Sequence, residues 1–112
     1  MIIYEVNCLV EASVERSFLT WLKDHARQIV EIEGFQSAVI SLIKLDDRLD
    51  ELPGCSGFCV TYRLENQAAL DRYLKEYAPA LREDGLQRFG NKMTIYRRVL
   101  GGALFEIRSP VE

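Results

Sequence analysis

The sequence predicts an α+β domain of the ferredoxin-like type, with a four-stranded antiparallel sheet and two helices on one face. Three observations carry this. Four segments alternate apolar and polar residues, two others repeat apolar residues every three or four positions, and they run in the order βαββαβ. Right-handed crossovers then place both helices on the same side of the sheet. A chain of 112 residues is long enough for one domain with one core and too short for two.

Residues 2–10 open the order as a strand. Ile2, Tyr4, Val6, Cys8 and Val10 share one strongly apolar face, while Ile3, Glu5, Asn7 and Leu9 share the other. Ser13 is a fair N-cap for the first helix, with Glu15 in its first turn. At ~100° per residue Val14, Phe18, Trp21, Leu22, His25, Ile29 and Ile32 form one stripe, and Gly34 ends the helix. Phe35 to Leu45 reads as a second strand, with Ala38, Ile40 and Leu42 opposite Ser37, Val39, Ser41 and Ile43. Residues 46–57 read as a polar, turn-rich, solvated connection.

The third strand sets Phe58, Val60, Tyr62 and Leu64 against Cys59, Thr61 and Arg63. Asn66 caps a second helix whose stripe is Leu70, Tyr73, Leu74, Tyr77 and Leu81. Pro79 should kink it or start a new one, because it lacks an N–H and clashes with the preceding turn. Gly85 and Gly90 are expected to break the chain before a last strand, Met93 to Leu100. The domain therefore spans residues 1–100, and residues 101–112 form a C-terminal tail.

With helices on one side only, the other sheet face exposes Ile3, Leu9, Val39 and Ile43 among polar residues. Such a half-apolar face calls for a partner, so a homodimer through this helix-free face is expected, with those four residues near the contact. Glu5 and Arg63 on the same face could pair across the sheet.

Composition narrows the function classes. Hydrophobic residues make up 48% and charged residues 28%, with net charge −3 and no basic run. Nucleic acid and anionic membrane surfaces demand a positive footprint, so neither is an expected partner. No run approaches ~20 apolar residues, and no secretory leader pattern opens the chain. Cys55 and Cys59 share a strand face roughly 13 Å apart at ~3.3 Å of rise per residue, about twice a disulfide's span. Free thiols in a reducing cytoplasm are expected. One histidine without a spaced cysteine set offers no metal site, and no nucleotide-binding or hydrolase motif implies a bound cofactor.

The candidate site lies in W-L-K-D-H. Trp21 and His25, each the sole residue of its type, stand one helical turn apart on the apolar stripe. His25 is the natural general acid or base, its ordinary pKa lying near neutrality. Tyr4, Tyr62, Tyr73 and Tyr77 fall on core-facing sides. They could fill the core with Trp21 and His25, or line a helix–sheet cleft with them as ligand walls. Burial of both Trp21 and His25 is expected, with the histidine pKa lowered unless a carboxylate is near.

Residues 1–100 also resemble a family of short bacterial proteins, domain-of-unknown-function family 4286 of the dimeric α/β-barrel group. The opening M-I-I-Y-E-V-N, W-L-K-D-H, G-F at 34–35, E-Y-A-P-A-L-R at 76–82, and R-F-G-N-K with R-R-V-L at 88–100 carry the likeness. The resemblance implies a ferredoxin-like fold and a face-to-face dimer, and it implies no reaction. Distant barrel-group members include small monooxygenases and haem-degrading enzymes whose sites commonly lie between helices and sheet. Two functions follow: a small dimer that binds or transforms an apolar or aromatic ligand without metal, or a non-catalytic dimerisation or regulatory module.

Overall fold

A computed structural model describes residues 1–111. Its elements are β1 (Ile2–Glu11), α1 (Glu15–Val30), β2 (Phe35–Ile43), α2 (Asp47–Asp50), β3 (Cys55–Leu64), α3 (Gln67–Glu76), α4 (Ala78–Phe89) and β4 (Met93–Leu100). The sheet order is β2-β3-β1-β4, with every neighbouring pair antiparallel. This is the expected ferredoxin-like α+β fold. Among the described residues no helix is long and apolar enough to cross a membrane.

The core lies between the sheet and its helices. β1 and β3 run side by side at the centre and turn Tyr4, Cys8, Val10, Phe58, Val60, Tyr62 and Leu64 toward the helices, all of them buried. α1 answers with Phe18, Leu22, Ala26 and Ile29. The helix begins differently from the expectation. A 3-10 turn over Ala12–Val14 precedes it, Val14 occupies the N-cap, and Ser13 caps nothing. The reason is the tie of Ala12 N–H to the Gly54 carbonyl, which holds the end of β1 against the start of β3 and delays the first helical turn.

At the far end of α1, Gly34 sits at φ +96° and its carbonyl accepts the Glu65 N–H. Its Cα faces Ala69 on α3, so closely that an added Cβ would lie 2.4 Å from the Ala69 Cβ. Only glycine lets the α1–β2 turn pass beneath α3 there. Just beyond, an irregularity between Phe35 and Ser37 breaks the alternation of β2. Phe35, which strict parity would send to the open face with Ser37, instead stands edge-on to Tyr62 and Tyr73 in the core.

Asn66 caps α3 by accepting the Ala69 N–H at 2.9 Å. Pro79 starts a fresh helix, as its missing N–H allows in a first turn. Gly85 does not break the chain. It lies inside α4, and the helix ends at Gly90, whose φ is +52°. The residue at 85 is small because of what it faces: a Cβ there would come within 3.0 and 3.2 Å of the Trp21 indole.

The 44–54 connection also departs from expectation. Asp46 caps the short α2 through the Arg48 N–H, and the segment then folds back over the helix-free face. The Tyr96 hydroxyl, on the far-edge strand β4, donates to the Asp46 carboxylate, and the Arg48 guanidinium lies 3.8 Å above the Tyr96 ring. The connection thus covers one end of that face. Leu9 is 1% exposed within a single chain, so it is not held in reserve for a partner. It packs with Ile43 over Gly57, where an added Cβ would lie 3.0 Å from Ile43 and 3.2 Å from Leu9. Glu5 pairs with Arg98 of β4 rather than with Arg63, through contacts of 2.9 and 3.4 Å. The two residues stand directly opposite in the β1–β4 register, whereas Arg63 faces Ile3. Cys8, Cys55 and Cys59 are all free thiols, and the spacing of Cys55 and Cys59 along β3 keeps those two apart.

Candidate functional site

A cavity of about 290 Å³ opens between the helices and the sheet, and α1, α4 and the strands β1, β3 and β4 each supply part of its wall. Five of the six residues singled out in the sequence line it: Tyr4, Trp21, His25, Tyr62 and Tyr73. Tyr77 does not. It occupies the junction between α3 and α4, where its backbone (φ −117°, ψ −40°) interrupts the helical progression and leaves it 42% exposed. The stripe resumes at Leu81, which does reach the cavity.

Trp21 and His25 are half-buried rather than enclosed. Their rings stack at 4.4 Å between centroids and 20° between planes. The indole is held from three directions. Its Nε1–H donates to Asp84 at 2.8 Å, and Phe18 and Phe89 pack against it at 5.7 and 5.6 Å. Asp84 is anchored in turn by Arg88. These two contacts hold the Asp84 carboxyl below its ordinary pKa, the Trp21 bond foremost.

No hydrogen bond to the His25 ring forms among the described residues; the Tyr4 hydroxyl is engaged by Arg82 instead. Burial lowers its pKa from 6.5; Asp84 nearby works the other way, and the Arg97 charge adds to the lowering. The ring is therefore neutral at pH 7, carrying one N–H donor and one free nitrogen able to accept a proton.

Two of the phenols, Tyr62 and Tyr73, are likewise held neutral. Burial pushes Tyr73 up to about 12 and Tyr62 well above its ordinary value, and it takes the Cys8 thiol up to about 12. A thiol in that state is no nucleophile near neutrality. Tyr4 stacks on Tyr62 at 5.9 Å and meets Tyr73 edge-on at 6.2 Å, and its hydroxyl accepts a hydrogen bond from Arg82 at 3.2 Å. Among the described residues no three His, Cys, Asp or Glu side chains gather closely enough to hold a metal ion.

Two wall residues that carry charge, Arg82 and Arg97, were not legible as site residues in the sequence. Arg97 belongs to the pair Arg97-Arg98, which the strand divides between its faces: Arg98 meets Glu5 on the open face, and Arg97 turns to the cavity with Met93 and Ile95. The parity of β4 was the available signal. Arg82 lies one turn before Gly85 on α4, and its place depended on how Pro79 set the new helix. Asn7 lies on the opposite face, away from the cavity, as parity indicated.

The fold and this helix–sheet cavity define a ferredoxin-like domain with a small, mainly apolar cleft. The chain belongs to the family Domain of unknown function (DUF4286), whose pattern matches residues 1–102. No functionally curated protein matches its sequence. Solved structures share its fold at low identity. A Deinococcus radiodurans protein provisionally assigned as an antibiotic biosynthesis monooxygenase is 17% identical, with 97% of this chain and 100% of that one covered at TM-score 0.67. A dimeric ferredoxin-like protein from an uncultured marine organism is 14% identical, covering 97% and 100% at 0.62. SnoaB, a cofactor-independent oxygenase from Streptomyces nogalater, is 13% identical, covering 99% and 98% at 0.59.

Proposed function

We propose that this protein is a small homodimer that binds, or acts on, an apolar or aromatic small molecule in the helix–sheet cavity. The observation that carries the proposal is the cavity itself, about 290 Å³ with the chain's one histidine and one tryptophan stacked in its wall. Space of this size is roughly twice the ~150 Å³ that holds a benzene, so it suits one or two rings. Trp21, Tyr4, Tyr62 and Tyr73 serve as the ligand walls. His25, neutral and unengaged, is the general base, and no metal or bound cofactor is required for proton transfer to it. The fold shared with a cofactor-independent oxygenase is compatible with such chemistry. Three free thiols fit a reducing cytoplasm.

The probe for this site is 2-naphthalenemethanol, a neutral two-ring alcohol, titrated into the full chain and followed by amide NMR shifts. Saturable shifts centred on Leu22, His25 and Ile95 are expected, with β2 little changed. No shifts at millimolar probe, or shifts confined to the open face, would leave the protein as the non-catalytic dimerisation or regulatory module.

The homodimer is proposed through what remains of the helix-free face. Ile3, Val39 and Leu100 stay partly or largely exposed there, beside Arg63 and the Glu5–Arg98 pair. Light scattering at micromolar concentration should give twice the 12.9 kDa chain mass. Val39→Lys should move it toward the single mass, and a monomer in the unaltered protein refutes the assembly.

A further inference from the structure

The charged side chains that line the cavity are of one sign, and the Asp84 carboxylate lies behind the wall on the Trp21 indole N–H. The chain carries 17 acidic and 14 basic residues, yet the wall includes Arg82 and Arg97, beside the neutral His25, and no aspartate or glutamate. Four other arginines are matched with carboxylates: Arg27 with Asp24, Arg88 with Asp84, Arg98 with Glu5 and Arg108 with Glu106. Arg82 and Arg97 are matched with none among the described residues. Both are nonetheless directed to the site. Arg82 reaches in to donate to the hydroxyl of buried Tyr4, and Arg97 stands opposite Val6 on the helix side of the sheet. Arg97 is exposed where it lines the cavity, and its charge is felt at Cys8, His25, Tyr62 and Tyr73 alike.

From these placements we infer that the cavity takes an aromatic or apolar acid of one or two rings, its carboxylate held by Arg82 and Arg97 at the rim. The inference rests on the cavity being a ligand site and names the class of ligand. A guanidinium fork suits a planar carboxylate, and the bond is charge-assisted on both sides. The depth of the cavity, walled by Val6, Leu22, Ile29, Val60 and Ile95, suits the hydrocarbon part and offers a second charge nothing. An anion at the rim would also place a negative group near the stacked His25 ring and favour proton uptake there.

The test compares 2-naphthoate with 2-naphthalenemethanol, which have the same rings and differ in charge, by calorimetric titration of the full chain. The acid is expected to bind about tenfold or more tightly than the alcohol, the scale of one charge-assisted contact. Arg97→Gln and Arg82→Gln, both at partly solvated side chains, should each remove most of that difference and leave the alcohol within about twofold. An unchanged circular dichroism spectrum checks that each variant is folded. Equal affinities for acid and alcohol, or arginine variants that weaken both alike, overturn the acid inference while the apolar site stands. Naphthoate that fails to bind at millimolar concentration also overturns it, and an equally silent alcohol removes the ligand site as well.

Discussion

Gly34→Ala is expected to destabilise the protein by about 2–6 kcal/mol, lowering the melting temperature by roughly 8–24 °C at about 4 °C per kcal/mol. Two costs add. At φ +96° an alanine is strained, for about 1–3 kcal/mol. Its Cβ would also meet the Ala69 Cβ at 2.4 Å, an overlap that no rotamer relieves, because both atoms are fixed to the backbone. Forcing α1 and α3 apart costs about another 1–3 kcal/mol. Whole-domain stabilities are only ~5–15 kcal/mol, so this one methyl group takes a large share.

Gly54→Ala is the matched control. Gly54 has a similar φ of +84°, with no atom within 4 Å of the added Cβ. It should show the strain cost alone. Adding Ala69→Gly to Gly34→Ala should restore part of the loss, less about 1 kcal/mol for glycine inside a helix. Thermal melts by circular dichroism decide the matter: a Gly34→Ala melt within two degrees of the parent would mean the α1–β2 turn does not pass under α3.

Phe18→Ala has the other large expected effect, about 3–5 kcal/mol in urea unfolding. Phe18 is 0% exposed, and its ring touches Phe89 at 5.0 Å, Trp21 at 5.7 Å and Phe58 at 6.3 Å. These neighbours come from α4, α1 and β3, so the site cannot collapse without moving three elements at once. Loss of the ring also withdraws one support of the indole, which lines the cavity. Trp21 emission in the native state is therefore expected to broaden or shift as well. A loss under 1 kcal/mol would show that this aromatic cluster is not close-packed.

Most of the architecture was legible because it depends on periodicity, which is local. The strands alternated, α1 carried a single stripe, Asn66 capped α3, and Pro79 opened a new helix where its chemistry permits one. Departures fell where a distant partner decides. Ser13 lost its cap to a bond between Ala12 and Gly54, Phe35 was turned inward by an irregularity in β2, and residues 46–54 were drawn onto the sheet by Tyr96, fifty residues away from Asp46. Gly85 looked like a helix breaker because propensity counts only the backbone, whereas its place inside α4 leaves room for Trp21.

The sequence by itself determined the element order, which face of each central strand meets the helices, and the separation of Cys55 from Cys59, and it put Trp21, Tyr4, Tyr62 and Tyr73 on the same side of the sheet as His25. Those follow from strand parity and helical angle, which any stretch of chain carries within it. Tertiary structure decided that Trp21, His25 and three tyrosines border an open cavity rather than a filled core, that Tyr77 stands outside it, and that Arg82 and Arg97 stand at it without carboxylates. The physical reason is that a cavity is a property of how α4 is set against the sheet. That setting depends on Gly85 against Trp21, on Asp84 against the indole N–H and on the restart at Pro79, three contacts between residues remote in sequence or helices divided in space.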